Sequence, residues 1–235
     1  MDYLTIIYQY MPRILEGAWL TLEIAVFSVL FSILIGVLGA LMRVSGSPVL
    51  NAIAATYSSV VRSVPDIIWM LMVYFSAQIA LNSMTEAFGM GDIEISPFGA
   101  GVFTLSFIFG AFFTETFRGA ILAVPGGQIE AAYAYGMKPS AVIKRITFPL
   151  MMRFALPGVR NNWLVLTKAT ALVSIIGLDD MTRIAQQAGS ATHLSFLFNL
   201  LSAVLFLVIT ASSLQVFSWL DKRYQQGFVF GEDNA

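Results

Sequence analysis

Four ionisable side chains lie inside otherwise apolar segments of the sequence, and their types suggest a chemical role. They are Asp66, Glu115, Arg160 and Lys168. An ionisable group is costly in an apolar environment, so it normally faces a bundle interior, a water-filled cavity or an opposite charge. Carboxylates in this setting either bind a cation or a proton, or they form ion pairs that hold helices together.

The positions of these groups along their segments predict two ion pairs. With a rise of about 1.5 Å per residue, Asp66 and Lys168 both lie roughly 20 Å from the same end of the segments. Glu115 and Arg160 both lie within about two turns of that end. Two interpretations stay open: structural ion pairs, or carboxylates at Asp66 and Glu115 that line a pathway and attract a cationic ligand. Pro65 also predicts a helix interruption beside Asp66, because proline removes a backbone donor.

The composition indicates that lipid is the solvent for much of the surface. Hydrophobic residues make up 57% of the 235 residues and charged residues only 11%, with a mean hydropathy of +0.78. Soluble domains usually carry about 25% charged residues. We therefore expect one all-α membrane domain over residues 1–235.

Several chemistries have no support in the sequence. The chain has no cysteine, and its net charge of −1 gives no basic field for nucleic acid. It contains no G-x-x-x-x-G-K-[ST] phosphate loop and no Ser/His/Asp set or histidine cluster. We expect no enzymatic site, no metal and no cofactor in this chain.

Five segments are long and apolar enough to cross a membrane, since a spanning helix needs roughly 20 apolar residues. They are residues 18–42, 53–81, 98–118, 154–178 and 194–220. Residues 3–15 are predicted to form a separate short helix on the membrane surface. In the first span, Ser32, Gly36 and Ala40 repeat at four-residue spacing, which predicts close approach of another helix.

The distribution of Lys and Arg predicts the orientation of these spans. Five crossings place two basic residues, Arg13 and Arg183, on one side. The other side receives Arg43, Arg118, Lys138, Lys144, Arg145, Arg153, Lys222 and Arg223. The richer side is expected to be cytoplasmic, which puts the N-terminus outside and the C-terminus inside. Residues 119–153 become the main cytoplasmic loop.

This loop has the sequence features of two short helices. Residues 128–135 favour a helix, and Gly136 predicts its end. Pro139 suits the first turn of a second helix, which Pro149 is expected to end near residue 147. The element is interpreted either as an amphipathic loop on lipid headgroups or as a docking surface for another protein.

The spacing of six loop residues resembles the EAA motif of ABC importer permeases. These residues are Glu130, Ala131, Ala132, Gly136, Ile146 and Pro149. Phe148 stands where the family usually has leucine, which keeps the apolar character. The resemblance implies that the loop is the coupling helix, which docks into a groove of a cytoplasmic ATPase.

Longer stretches resemble the polar amino-acid permeases of that family. They include "EGAWLTLEIA", "VRSVPDIIWMLMVYF" and "KATALVSIIGLDD", and the "VPD" and "NNW" runs look like the Q-type subunits of histidine/lysine-arginine-ornithine importers. The resemblance implies a type I importer fold with five spans in a bacterial inner membrane. It also implies that Asp179 borders the substrate path, although Asp179 and Asp180 are equally read as loop acids or a cap for a helix at 181–188.

The implied function is inward transport of polar, basic amino acids. The implied partners are a dimer of ATPase subunits that bind ATP and Mg, a periplasmic amino-acid-binding protein and a second permease subunit. That second subunit is expected to be a related chain, with a homodimer as the alternative. Permeation of glutamine or glutamate, or an ion-coupled transporter using Asp66 and Glu115, are the alternative functions.

Overall fold

The computed structural model describes residues 3–89, 91 and 93–225. Within these residues the chain is helical and contains no strand, as the composition predicts. The α-helices are α1 (Tyr3–Val44), α2 (Pro48–Ser63), α3 (Asp66–Ala87), α4 (Pro97–Leu122), α5 (Gly126–Ala134), α6 (Pro139–Val142), α7 (Phe148–Ala169), α8 (Met181–Thr192) and α9 (Ser195–Gln225). A π-helical turn, Ile143–Thr147, precedes α7, and a 3₁₀ segment, Thr170–Ile176, follows it.

Four stretches in the described chain are long and apolar enough to cross a membrane. They are Thr5–Val44, Asp66–Ala87, Pro97–Leu122 and Ser195–Tyr224. Helix α7 is not among them, because Arg153, Arg160 and Lys168 lower its hydropathy. The structure therefore accounts for four of the five predicted spans by length and composition.

Two predicted spans are not single α-helices. The stretch 53–81 is divided between α2 and α3 by Val64 and Pro65, whose backbones are extended. The stretch 154–178 changes from α-helix to 3₁₀ geometry at Thr170. Hydropathy cannot show such changes, because it reports how apolar a segment is and not its hydrogen-bond pattern.

The prediction of a separate helix at residues 3–15 is wrong. Helix α1 continues through this region into the first span, with Pro12 inside it. The extension packs on α8, and a Cβ atom at Gly17 would lie 2.8 Å from the Met181 backbone nitrogen. Ile14 is fully buried there with Met181 and Phe198. Tertiary packing thus stabilises the continuous helix.

Helix α4 forms the centre of the bundle. In its most apolar window 61% of the residues are buried, against 6% for α3 and for α9. Helix α1 packs along α4 through the predicted small-residue stripe: Ser32 and Ala40 are buried, and the Ser32 hydroxyl donates to the Ser106 carbonyl at 3.4 Å. A side chain at Gly36 would overlap Phe113. The prediction of close helix approach at this stripe is confirmed.

Candidate functional site

The interruption between α2 and α3 lies where proline predicts it. Val64 and Pro65 have ψ values of 136° and 137°, so the helical hydrogen bonds stop at Ser63. The Trp69 indole N–H donates to the Val61 carbonyl at 3.1 Å, which satisfies a carbonyl that the end of α2 leaves without a partner. Asp66 occupies the first turn of α3, where the positive end of the helix dipole favours a carboxylate.

Three contacts place this interruption beside the middle of α4. The Trp69 and Phe107 ring centroids are 5.4 Å apart, and the Tyr57 hydroxyl donates to the Phe107 carbonyl at 2.6 Å. The Arg62 guanidinium lies 5.3 Å from the Phe112 ring centroid. The half-buried Asp66 is therefore held near the centre of the bundle, at a break in the helix.

The predicted ion pair between Asp66 and Lys168 is not formed. Within the described chain no side chain makes a hydrogen bond or ion pair with the Asp66 carboxylate, and Lys168 is exposed. The neighbours of Lys168 on α7, Thr167 and Ala169, are buried, so Lys168 projects away from the core. Equal depth along two helices means that two residues lie equally far from the same end of the bundle. It does not determine the direction in which each side chain points.

The 3₁₀ segment after α7 forms a second interruption against the same helices. It packs on α3 and α4, and Gly101 of α4 leaves room for Val173 of the segment, since a Cβ there would lie 2.6 Å from Val173 Cγ1. The Arg183 guanidinium donates to the Ser174 carbonyl at 3.1 Å. Irregular backbone at membrane depth is tolerated only where protein buries it or where it lines a cavity. The two interruptions thus adjoin one central helix.

The two aspartates after this segment have different roles. Asp180 is fully buried and caps α8, because its carboxylate accepts the Arg183 backbone N–H at 3.0 Å. Burial raises the pKa of Asp180 above its usual value, against the effect of the hydrogen bonds from the start of α8. The cap interpretation is thereby confirmed for Asp180.

Asp179 is exposed and pairs with Arg183 at 3.1 Å, while Gln187 donates to it at 3.3 Å. It lies on a cavity of about 680 Å³ between α1 and α8, which Arg13, Glu16 and Glu23 also line. Its lining mixes these charged groups with apolar side chains such as Leu20 and Ile184. Asp179 therefore faces an open cavity, and its place beside a substrate path stays a prediction.

Glu115 is the centre of an ion network that differs from the predicted one. Its carboxylate accepts from Arg118 Nε at 2.8 Å and from the Ser58 hydroxyl at 2.8 Å. Arg43 Nε lies 3.5 Å away. Glu115 thus joins α1, α2 and α4 near the ends of α1 and α4.

The predicted pair between Glu115 and Arg160 is wrong, because Arg160 faces α9 and pairs with Asp221 at 3.3 Å. Sequence reasoning missed Arg118, Arg43 and Ser58 as partners of Glu115, and it missed Asp221 as the partner of Arg160. In the sequence, the two arginines served only to predict orientation, and Asp221 lies just beyond the predicted span 194–220. The single acid in the otherwise basic "DKRY" run of α9 was the available signal for the second pair.

The first half of the 119–153 loop has the predicted helix and turn. Helix α5 ends at Ala134, and Gly136 has a φ of +75°. Gly136 N–H donates to the Tyr133 carbonyl at 2.9 Å, and Met137 N–H donates to the Ala132 carbonyl at 3.1 Å. This is the Schellman pattern. It needs a residue with a positive φ just after the helix, and glycine adopts such a φ without steric cost. Glu130 and Ala131 are exposed on the helix, whereas Ala132 is buried.

The second half of the loop does not end at Pro149. Helix α6, the π-helical turn and α7 follow one another directly, with Ile146 in the turn and Pro149 in the first turn of α7. Phe148 keeps helical angles, and its N–H donates to the Ile143 carbonyl five residues back. The proline is accommodated because the π-helical turn shifts the hydrogen-bond register just before Pro149, which has no N–H to donate. The loop is therefore joined to the α7 helix without a break.

Comparison with known proteins identifies the family. Residues 32–226 match the family described as binding-protein-dependent transport system inner membrane component. The chain belongs to this family. It is thus an integral inner-membrane component of a transport system, and its apolar α1, α3, α4 and α9 agree with that placement.

Individual relatives of this transport component cover nearly its whole length. The histidine/lysine/arginine/ornithine transport system permease protein HisQ of Escherichia coli (strain K12) is 47% identical over 94% of this chain and 97% of its own. The octopine transport system permease protein OccQ of Rhizobium radiobacter is 35% identical over 92% of both chains. A solved structure described as an amino acid ABC transporter with histidines matches 95% of this chain and 99% of its own, with 29% identity and a TM-score of 0.78.

Proposed function

We propose that this chain is the permease subunit of an ATP-driven importer that takes up basic amino acids such as histidine, lysine, arginine and ornithine. The observation that carries the proposal is the end-to-end similarity to HisQ, at 47% identity. Other relatives are named as permeases of octopine, nopaline and arginine transport systems. The five-span arrangement, with α2–α3 and α7 with its 3₁₀ segment as two of the spans, belongs to this proposal.

The loop at 119–153 is proposed as the coupling element for a cytoplasmic ATPase dimer, which binds the ATP and Mg that this chain does not. The exposed Glu130 provides a charged contact, and the exposed Tyr133 and Tyr135 provide aromatic surface beside it. Because the loop runs into α7 without a break, a displacement of α5 or α6 is transmitted to α7. This helix carries Arg160 and continues into the 3₁₀ segment. This route links nucleotide-driven motion to the bundle.

A pathway for the substrate is proposed along the two interruptions beside α4. Asp66 is half-buried there and has no partner within the described chain, so its negative charge is available for a cationic side chain. Helix interruptions near the midplane are common binding places in transporters. Glu115, already engaged by Arg118, Ser58 and Arg43, is better suited to holding helices together than to binding substrate.

Further partners complete the assembly. The apolar faces of α3 and α9 are almost wholly exposed, which leaves surface for lipid and for a second permease. We propose a related second chain, as the Q-type relatives suggest, with a homodimer as the alternative. A periplasmic binding protein delivers the amino acid on the side of the Asp179 cavity, and the N-terminus lies on that side.

Uptake in proteoliposomes tests the function. The complete complex is reconstituted with ATP inside, and labelled arginine is offered on the outside with the binding protein. Uptake that needs ATP and the binding protein, and that prefers arginine and histidine to glutamine, is the expected result. Uptake driven by an ion gradient without the ATPase contradicts an ATP-driven importer, and a preference for glutamine would reassign the substrate.

A further inference from the structure

A basic pocket lies where the proposed coupling loop meets the end of α9. Its volume is about 470 Å³. Three arginines line it, Arg145, Arg153 and Arg223, together with the polar side chains of Gln128 and Tyr224. The other described residues that line it are apolar, and none of the described lining residues is a carboxylate. The pocket thus gathers positive charge from three separate helical elements.

The donor set of this pocket fits a phosphate group. Guanidinium groups present several N–H donors in a planar fork, and they bind phosphate oxygens with two parallel hydrogen bonds. Arg145 and Arg223 together present enough N–H donors for three or more oxygens, a number that a phosphate group has and a carboxylate does not. The amide of Gln128 and the hydroxyl of Tyr224 add neutral donors at the rim.

The place of the pocket on the molecule points to a lipid as the carrier of that phosphate. Helix α9 is apolar and exposed along most of its length, and it ends here. Trp219 is 58% exposed one turn before Arg223, whose guanidinium lies 5.7 Å from the Trp219 ring centroid. Exposed tryptophan and tyrosine at the end of a spanning helix mark the headgroup level of a bilayer. Basic pockets at this level between helices bind anionic headgroups.

We propose that this pocket binds the phosphate of an anionic phospholipid and thereby ties the loop to the end of α9. The inference needs α9 to span the membrane, and it does not depend on which amino acid is transported. A lipid held between Arg145 and Arg223 connects the start of α7 to the end of α9. The same two helices are joined directly by Arg160 and Asp221 nearby. The lipid would therefore stabilise the position of the 119–153 loop, the proposed contact with the ATPase.

The test compares two double variants of the full-length chain in neutral detergent. Arg145→Gln with Arg223→Gln removes two charges from the pocket, and Lys138→Gln with Lys144→Gln removes two exposed charges from the same loop outside it. Binding of phosphatidylglycerol is measured by native mass spectrometry and by the shift in thermal midpoint. We expect about tenfold weaker binding in the arginine variant, the loss typical of charge-assisted hydrogen bonds, and unchanged binding in the lysine variant.

Further measurements distinguish the phosphate of a lipid from free inorganic phosphate as the bound anion. Inorganic phosphate and neutral phosphatidylcholine are expected to leave the thermal midpoint of the wild-type chain unchanged. A variant with Arg145→Lys and Arg223→Lys keeps the charge and is expected to recover part of the binding, which shows that a loss in the glutamine variant is not misfolding.

Four results overturn the proposal. Equal loss in the arginine and lysine variants would show diffuse attraction, and equal binding of inorganic phosphate would show an anion site without lipid. If the arginine variant alone loses docking of the ATPase, with or without lipid, the pocket would be assigned to the ATPase. Lipid binding that arises only after removal of residues 226–235, which include Glu232 and Asp233, would assign it to the chain's own acidic end.

Discussion

At the scale of single residues, the carboxylates are informative, because the structure shows which of them have a partner. Glu115 and Asp221 are each matched by arginine, and Asp180 is used as a helix cap. Asp66 differs from them because it is half-buried and no side chain within the described chain pairs with it. A carboxylate at a helix break, without a partner in the described chain, is the group that a cationic substrate would contact most readily.

Replacing Asp66 with asparagine keeps the size of the side chain and removes its charge. We expect kcat/KM for arginine uptake to fall about tenfold, the effect of one charge-assisted hydrogen bond, while glutamine uptake changes less. Proteoliposome uptake measures both. Lys168→Met is the comparison: since the two residues do not pair in the structure, it should leave uptake near the wild-type level. Equal loss in both variants, with recovery in the double variant, would show an ion pair instead.

Asp180 offers a prediction about stability and pH. Asp180→Ala removes the cap of α8 and should cost about 1 kcal/mol, whereas Asp180→Asn keeps an acceptor and should cost much less. Because burial raises the pKa of Asp180 in the folded protein, its protonated form is favoured there. That stabilisation is complete below the unfolded-state pKa of about 3.9 and is lost as the pH rises through the folded-state pKa.

The thermal midpoint of the purified chain in detergent, measured from pH 4 to pH 8, checks this sign. The wild-type chain should lose stability relative to Asp180→Asn as the pH rises over the acid part of this range. A constant difference between the two proteins across the range would show that the carboxylate is not buried as described.

At the scale of elements, α6, the π-helical turn and α7 form one continuous helical run, and the glycine turn joins α5 to it. The glycine turn after α5 and the π-helical turn before α7 are both local irregularities, yet the backbone is hydrogen-bonded through each. A π-helical turn inside a longer helix often accompanies a functional site. We expect a displacement of α5 by the proposed ATPase to be transmitted to α7 through this hydrogen-bonded backbone.

Reversing the charge at Glu130 tests the coupling role of this element. Glu130→Arg should leave substrate binding by the periplasmic protein intact, and it should reduce substrate-stimulated ATP hydrolysis and uptake together, by about tenfold or more if a charged contact is broken. Glu94→Arg makes the same charge change in the exposed loop between α3 and α4 and is expected to be nearly neutral. Wild-type ATPase stimulation in Glu130→Arg would refute the docking role.

At the scale of the whole molecule, the charge asymmetry predicts the orientation, and labelling can measure it directly. The chain has no cysteine, so single cysteines can be introduced without a background. Ser140→Cys in α6 should react with a membrane-impermeant maleimide only after the inner membrane is opened. Gly91→Cys, between α3 and α4, should react in cells whose outer membrane alone has been made permeable. The reverse pattern would invert the proposed topology and place the loop outside.

The amino-acid sequence by itself determined the helical membrane class, the small-residue stripe of α1 as a place of close helix approach, the break at Pro65 and the turn at Gly136. Each of these depends on local chemistry: apolar content, the absence of a Cβ atom, or the backbone limits of proline and glycine. The spacing of the loop residues likewise indicated the family that the comparisons show.

Only the tertiary structure decided which charges meet. Equal depth was predicted for Glu115 and Arg160, yet the two face different neighbours, because pairing also depends on rotation about each helix axis. The same holds for the unbroken passage through Pro149 and for the continuous α1, since packing on α8 and a shifted hydrogen-bond register override the local preference. Direction around a helix and contact between distant segments are collective properties of the packed bundle, and no single stretch of sequence contains them.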